Sequence, residues 1–368
     1  MKKQSPSKRE EELTRALLAW YEKDHRALPW REDPSPYHVW LSEIMLQQTR
    51  VEAVKPYYER FLKALPDIAA LASCEETKLM KLWEGLGYYS RVRNLQKAAR
   101  IITEEYGGRM PEEASELKKL PGIGDYTAGA ISSIAFGKRA AAVDGNVLRV
   151  MARLRADARD IAKEETKREL REEIEARYLP KEDAHCGSFN QALMELGARV
   201  CVPNGAPLCG DCPLQRFCKA HAAKEEMSYP VKSAKKARRT EERTVLLICD
   251  RERVALVKRP SKGLLAGLWE YPCLEGRVTR RRAEAFLKAQ GVSALRLLPL
   301  PEARHIFTHV EWHMTGFLVY ADTTGDYFMV NRRQIETVYA IPSAYRVYTE
   351  AVRSLLPESL AATEPKGH

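Results

Sequence analysis

The sequence predicts a multidomain chain in which an all-α region is followed by a smaller α+β domain. Three observations predict it. Up to about residue 225 the apolar residues recur at helical spacing, beginning with Leu13, Ala16, Leu17, Trp20 and Tyr21. Four of the eight cysteines, Cys201, Cys209, Cys212 and Cys218, then fall within eighteen residues, as thiols gathered around a metal do. Beyond Thr244 the apolar period shortens to that of strands. The expected boundaries are a helical region over 1–225, a linker over 226–243, a second domain over 244–356 and a disordered tail over 357–368.

A chain of 368 residues is long enough to bury two cores. Hydrophobic content of 45% and charged content of 30% are those of an ordinary soluble globular protein. No run of about 18 apolar residues occurs, and the start Met1-Lys-Lys-Gln-Ser-Pro-Ser-Lys-Arg9 lacks an apolar segment, so a cytoplasmic location without membrane association is expected. Sixty Lys and Arg against fifty Asp and Glu leave a net charge of +10, which favours a polyanionic partner. In a reducing compartment the cysteines are expected to serve a metal rather than disulfides.

Taken in order, a first helix is expected over Arg9–His25, stopped by Leu28-Pro-Trp-Arg31. After the turn residues Asp33-Pro-Ser-Pro36 a second helix is expected over Tyr37–Gln48, with Glu43 its one acid. An uncharged neighbourhood raises a carboxyl pKa toward neutrality, as a general acid requires. Further helices are expected over Val51–Leu65, Glu75–Gly85 and Val92–Tyr106. The glycine-punctuated loop between the last two carries Tyr88, Tyr89, Arg91 and Arg93, aromatic and basic residues suited to stacking on bases and meeting phosphates, although a core tyrosine pair capping two helices has the same pattern.

Next comes Leu120-Pro-Gly-Ile-Gly-Asp-Tyr-Thr-Ala128, between an amphipathic run from Ala114 and another from Tyr126. Gly122 and Gly124 there form a tight turn, and with the following helix N-terminus the turn makes a phosphate cradle, a helix-hairpin-helix. A plain αα corner has the same local pattern. In Ala142-Val-Asp-Gly-Asn-Val147, Asp144 precedes an apolar-periodic run and is expected at a helix N-cap. Helices over Glu164–Tyr178 and Phe189–Val200 lead to the four cysteines, whose thiolates suit either one tetrahedral zinc or a four-iron cluster. The basic run Lys232–Arg239 marks the linker. Beyond it, strands are expected over Thr244–Cys249, Val254–Lys258 and Trp312–Tyr320, with a helix near Arg280–Ala289.

The combination Leu-Pro-Gly-x-Gly followed by Val-Asp-Gly-Asn-Val resembles the helix-hairpin-helix DNA glycosylase superfamily, in which the aspartate serves the sugar whose base is removed. Ser42-Glu-Ile-Met-Leu-Gln-Gln-Thr49 matches the catalytic segment of MutY-type adenine DNA glycosylases. The resemblance implies that Glu43 and Asp144 are catalytic, with Tyr126 and Asn146 holding them. It implies an adenine pocket of Trp30, Arg31, Leu46 and Gln191, and DNA contacts from Gln48, Tyr88, Gly122 and Gly124, Tyr88 as a wedge in the base stack. It implies a [4Fe-4S] cluster on Cys201, Cys209, Cys212 and Cys218, although seven residues separate the first two where the family has six. On this likeness the helical region divides into a six-helix and hairpin module of about 30–140 and an iron-sulfur module of about 1–29 plus 141–225. The partner implied is double-stranded DNA holding adenine opposite 8-oxoguanine or guanine, bound by a monomer.

Gly263-Leu-Leu-Ala-Gly-Leu-Trp-Glu-Tyr-Pro272 resembles the signature of Nudix-type domains. A Nudix hydrolase needs a glutamate-rich magnesium-binding helix, and Arg280–Lys288 has one acid, so a recognition module is expected. In MutY-type enzymes a Phe-Ser-His loop reads 8-oxoguanine, and this chain has Phe307, Thr308 and His309. An endonuclease III-like lyase would need lysine where Tyr126 stands. A decayed iron-sulfur DNA-binding module would not need both Glu43 and Asp144.

Overall fold

A computed structural model describes residues 6–234 and 237–357. Its first helices are α1 (Lys8–Asp24), α2 (Pro29–Glu32), α3 (Pro36–Leu46), α4 (Val51–Ala64), α5 (Ile68–Ser73) and α6 (Glu76–Leu82). They are followed by α7 (Ser90–Glu105), α8 (Ala114–Leu117), α9 (Asp125–Ile134), α10 (Gly145–Arg155), α11 (Glu164–Arg177), α12 (Cys186–Arg199) and α13 (Lys219–Ala223). Then come β1 (Arg239–Cys249), β2 (Arg253–Lys258), β3 (Trp269–Glu270), β4 (Cys273–Glu275), α14 (Arg280–Ala289), β5 (Val292–Ile306), β6 (Val310–Thr324), β7 (Phe328–Asn331), α15 (Arg332–Thr337) and α16 (Arg346–Leu355). The chain divides into two compact units, Met1–Ser73 with Arg91–Ala234, and Cys74–Ser90 with Lys235–His368. Among the described residues no helix is long and apolar enough to cross a membrane. Residues 358–368 of the expected tail, and Lys235 and Lys236 of the basic run, lie outside the described residues.

In the helical unit, local chemistry sets the ends of the helices. Ser7 and Glu10 form a capping box that starts α1. Ser35 caps α3 and Pro36 occupies its first position, where a missing N–H costs nothing. α3 ends at Leu46, two residues before the expected Gln48, because Gln48 is left-handed with φ 58°. α5 was not anticipated, since six residues are too few to display a helical period. One apolar core joins Leu13, Leu17 and Tyr21 of α1 to α10, α11 and α12 and continues to Leu214 and Phe217. That core brings the beginning of the chain against the stretch bearing the cysteines.

In the second unit the main strand order is β3-β2-β1-β6-β5, with β4 paired to β1 and β7 to β2. β1 and β6 run parallel in register from Arg239 against Val310 to Cys249 against Tyr320. Val245, Leu247 and Cys249 face one core, while Leu246 and Ile248 face another beneath α14. Burial on both faces explains the unbroken apolar run of β1. β5 was not anticipated because Pro299 and Pro301 interrupt its pattern. It lies at the edge of the main order, where a missing N–H breaks no ladder on its open side.

Candidate active site

Glu43 projects from α3 into a buried position, where the Tyr126 hydroxyl, from the first turn of α9, donates to its Oε2. Tyr126 Oη also lies 3.7 Å from Met194 Sδ. Asp144 is the N-cap of α10: its Oδ1 accepts from the Val147 N–H at 2.7 Å and its Oδ2 from Asn146 Nδ2 at 2.8 Å. Asn146 is oriented in turn by Arg149, whose Nη2 donates to Asn146 Oδ1 at 2.8 Å and to the Gly197 carbonyl at 2.7 Å. A Cβ on Gly197 would stand 2.5 Å from that of Asn146, so only glycine lets α12 approach this closely.

Both carboxyl groups open into one cavity of about 1360 Å³. That exceeds the roughly 1,000 Å³ upper range of small-molecule pockets and leaves room for a nucleoside still joined to its strand. Trp30, Arg31, Leu46 and Gln191, the four expected around the base, line it, and so do Gln48, Gly124, Tyr126 and Asn146. Gly122 lies beside it in sequence, forming the hairpin turn at φ 80°, while Gly124 is extended.

Burial pushes the Glu43 carboxyl up to about 7; the Tyr126 donation opposes this, the charge of Asp144 adds to it, and Arg31 opposes it. Burial also raises Asp144, but the Val147 N–H, the Asn146 side chain and N–H, and Arg149 all favour its charged form. Of the two, Asp144 is therefore better equipped to stay ionised. Tyr126 is held well above its ordinary value by burial and by both carboxylates, so it remains a donor.

Of the buried residues of this region, sequence reasoning misses one, Glu195, and misplaces another, Arg91. Glu195 accepts from Arg26 Nε at 2.7 Å, Arg26 Nη2 at 2.9 Å and Arg31 Nη2 at 2.9 Å, and these contacts outweigh its burial and hold its carboxyl at about 2. Arg31 thus reaches the cavity already committed to an ion pair. The signal was available: Glu195 is the one acid of α12, as Glu43 is of α3. Arg91, read as a phosphate contact, is instead buried, and its Nη1 donates to the carbonyls of Ile44 (2.7 Å), Met45 (3.0 Å) and Gln47 (2.6 Å). It satisfies the open carbonyls at the end of the helix that carries Glu43.

The four cysteine side chains line one small cavity, none of them in a disulfide. Arg153 Nη1 donates to Cys201 Sγ at 3.3 Å, and Cys218 Sγ donates to the Arg153 carbonyl at 3.4 Å. Among the described residues, no three of these sulfurs lie within 4.8 Å of one another. Four thiols lining one cavity are a donor set that suits a thiolate-bound metal group, one zinc or an iron-sulfur cluster alike. The set gathered within 4.8 Å is Cys209, His221 and Glu226, and there His221 Nδ1 and Glu226 Oε1 already engage each other at 2.5 Å.

In the second unit, Phe307, Thr308 and His309 form the turn between β5 and β6. Phe307 is the anchor, its ring edge-on to Trp312 at 4.9 Å and its N–H donating to the Val310 carbonyl at 2.8 Å. Thr308 and His309 are exposed. The Tyr88 hydroxyl hydrogen-bonds with Thr308 Oγ1. Tyr88 is left-handed, with φ 46°, and 44% exposed, whereas Tyr89 beside it is buried. For a side chain other than glycine that conformation costs about 1–2 kcal/mol.

Residues 41–176 match the HhH-GPD superfamily of base excision DNA repair proteins, and residues 244–351 match the NUDIX domain. The adenine DNA glycosylase of Mus musculus is 36% identical over 353 residues, covering 80% of this chain and 68% of the relative. That of Schizosaccharomyces pombe is 33% identical over 407 residues, covering 89% and 87%. That of Buchnera aphidicola subsp. Acyrthosiphon pisum is 31% identical over 324 residues, covering 88% and 91%. Among solved structures, a thermostable thymine-DNA glycosylase is similar with a TM-score of 0.51 and 28% identity, over 59% of this chain and 98% of that one.

Holding Glu43 near 7 has a stability consequence whose sign is fixed. An unfolded chain releases that proton at about pH 4.3, the folded one only near 7. Between those values the folded state is progressively penalised, and above 7 the penalty levels at about 4 kcal/mol. Glu43→Gln removes the penalty, so it raises the unfolding midpoint more at pH 8 than at pH 5. Calorimetry at the two pH values checks this; an equal shift, or a lowered midpoint at pH 8, contradicts it.

Proposed function

Since the chain belongs to the MutY-type adenine DNA glycosylases, joining an HhH-GPD domain to a Nudix domain, we propose that it hydrolyses the N-glycosidic bond of adenine opposite 8-oxoguanine or guanine in duplex DNA, with Glu43 as general acid and Asp144 as cation stabiliser. It is an adenine DNA glycosylase of base excision repair. The observation that carries the finer reading is that one cavity holds both carboxyl groups, one tuned to keep a proton at neutral pH and the other furnished to lose it.

The base must leave the stack before it can be cut, at a cost of a few kcal/mol. In this reading the Gly122 turn and the start of α9 grip the backbone, Tyr88 wedges the stack and Gln48 fills the gap. Adenine is a poor leaving group as an anion. Glu43 gives its proton to N7, the electrons of the glycosidic bond leave with the now neutral base, and the sugar acquires oxocarbenium character. Asp144, held by Val147 N–H and Asn146, faces that cation as a carboxylate. Glu43, now ionised, takes a proton from the water that attacks the sugar carbon and so returns to its starting form. A lyase route needs an amine nucleophile, and Tyr126 stands there as a donor to Glu43 instead.

Cys201, Cys209, Cys212 and Cys218 would hold a [4Fe-4S] cluster, whose contribution is a covalent brace across the loop after α12. Arg153, at Cys201, supplies a positive charge beside thiolate ligands. In the second unit, Thr308 and His309 are the exposed groups offered to 8-oxoguanine, with Phe307 fixing the turn.

The test is single-turnover cleavage of a labelled duplex with adenine opposite 8-oxoguanine, followed by alkali. Wild type cleaves, and its rate falls as pH rises through about 7 while Glu43 loses its proton. Glu43→Gln slows excision at least about 100-fold, within the range for a lost general acid, with duplex affinity little changed. Retained turnover contradicts the acid role.

The purified protein is expected to be brown and to contain about four irons per chain. Iron assay and absorbance check this, and a colourless zinc form contradicts the cluster.

A further inference from the structure

The segment Cys74–Ser90 is flanked in sequence by helices of the helical unit, yet it packs as part of the second unit. Its attachment is specific. Lys81, near the end of α6, donates from Nζ to the carbonyls of Ile335 (2.7 Å) and Tyr339 (3.4 Å), in and just after α15. Glu84 Oε1 accepts the N–H of Ile341 at 2.8 Å, and Lys81 and Glu84 pair with each other at 2.5 Å. The Lys81 side chain is 16% exposed and that of Glu84 28%, so these are largely shielded contacts rather than solvated surface charges. The indole N–H of Trp83, fully buried, donates to the Gly87 carbonyl at 3.1 Å. The residue after Gly87 is Tyr88, whose hydroxyl meets Thr308.

These contacts form a bracket. One end of it grips the exit of α15, the other ends on the turn between β5 and β6, and the loop between is stapled to α6 by Trp83. Because the loop Trp83–Tyr89 is short and stapled, the position of Tyr88 over Thr308 follows that of α6.

We propose that Lys81 and Glu84 are positioning residues for lesion specificity: by holding α6 to the exit of α15 they set the register between Tyr88 and the Thr308 turn. The inference rests on the reading that this turn reads 8-oxoguanine. Neither residue is a catalytic residue, and their effect is on which duplex is cut rather than on bond cleavage. What matters is their hold on backbone groups. A carbonyl can only be met by a donor and an N–H only by an acceptor, so exchanging the two charges preserves the ion pair and loses the bracket.

The experiment compares single-turnover excision of adenine opposite 8-oxoguanine and opposite guanine, using the full-length protein. Lys81→Met is expected to lower the ratio of the two rates about fivefold or more, mostly by slowing the 8-oxoguanine substrate. Lys81→Arg, which keeps donors, is expected to retain most of the wild-type ratio. The double exchange Lys81→Glu with Glu84→Lys is expected to stay as defective as Lys81→Met. Single-turnover rate constants refer to the active molecules, so partial unfolding lowers the amplitude of both reactions and leaves the two rate constants as they are. A wild-type ratio in Lys81→Met, equal loss on both substrates, or recovery in the double exchange overturns the inference while leaving the lesion reading intact. A wild type that cuts both duplexes equally removes the lesion reading, and this inference with it.

Discussion

A carboxyl group taken out of water and given a single hydrogen-bond donor keeps its proton, and the site is built around Glu43 meeting both conditions. Burial alone would hold the acid form without directing it; the Tyr126 hydroxyl directs it. Tyr126 reaches Glu43 because α9 starts immediately after the Gly122 turn. The end of the helix that carries Glu43 is held by Arg91, which draws three carbonyls onto one guanidinium nitrogen. Asp144 is the opposite construction: only partly buried, it receives the donors that a cap position provides. The two carboxyl groups differ in what opposes their burial, because one sits mid-helix and the other at a helix start, where N–H donors are on offer.

Around this pair lies a layer that touches neither carboxylate's chemistry but fixes the elements bearing them. Asn190, fully buried on α12, accepts from the Ala142 N–H at 3.1 Å and donates to the Ala140 carbonyl and Ser133 hydroxyl, both at 2.8 Å. It thereby anchors the extended run into Asp144 to both α9 and α12. Glu195, one turn further along, binds Arg26 and Arg31 and so ties the segment between α1 and α3 to the same helix. Removing one partner from such a buried ion pair typically costs 3–5 kcal/mol, because a charge is left without compensation. α12 is therefore the common support for both sides of the cavity.

What was legible in the sequence follows from how local the cause is. Asp144 was visible because a cap is decided within three residues, and Glu43 because an acid in an apolar helix contradicts its surroundings. Glu195 carried the same contradiction, but its partners lie more than 160 residues away, so nothing nearby explained it. Arg91 misled for a related reason: in a loop sequence rich in Tyr and Arg it reads as a surface cation, and only the end of α3 arriving beside it turns it inward. β5 was hidden by prolines that an edge strand tolerates. The attachment of α6 to the second unit was invisible, since Lys81 and Glu84 have the spacing of a solvated helical pair.

Thr308 stands where the resemblance leads one to expect serine, and the structure gives the added methyl a physical meaning. The residue lies at an exposed turn, so the methyl displaces no neighbour. A β-branched side chain has fewer χ1 states than serine, and the hydroxyl is already engaged by Tyr88. Threonine therefore presents a hydroxyl of more fixed direction and has less rotamer freedom to lose when a partner takes it. Phe307 reinforces this from below, because its ring against Trp312 prevents the turn from swinging. Tyr88 beside this turn is held as well, by its left-handed backbone and the Trp83–Gly87 contact behind it. The parts of the second unit that would face DNA thus share one property: their directions are set before DNA arrives.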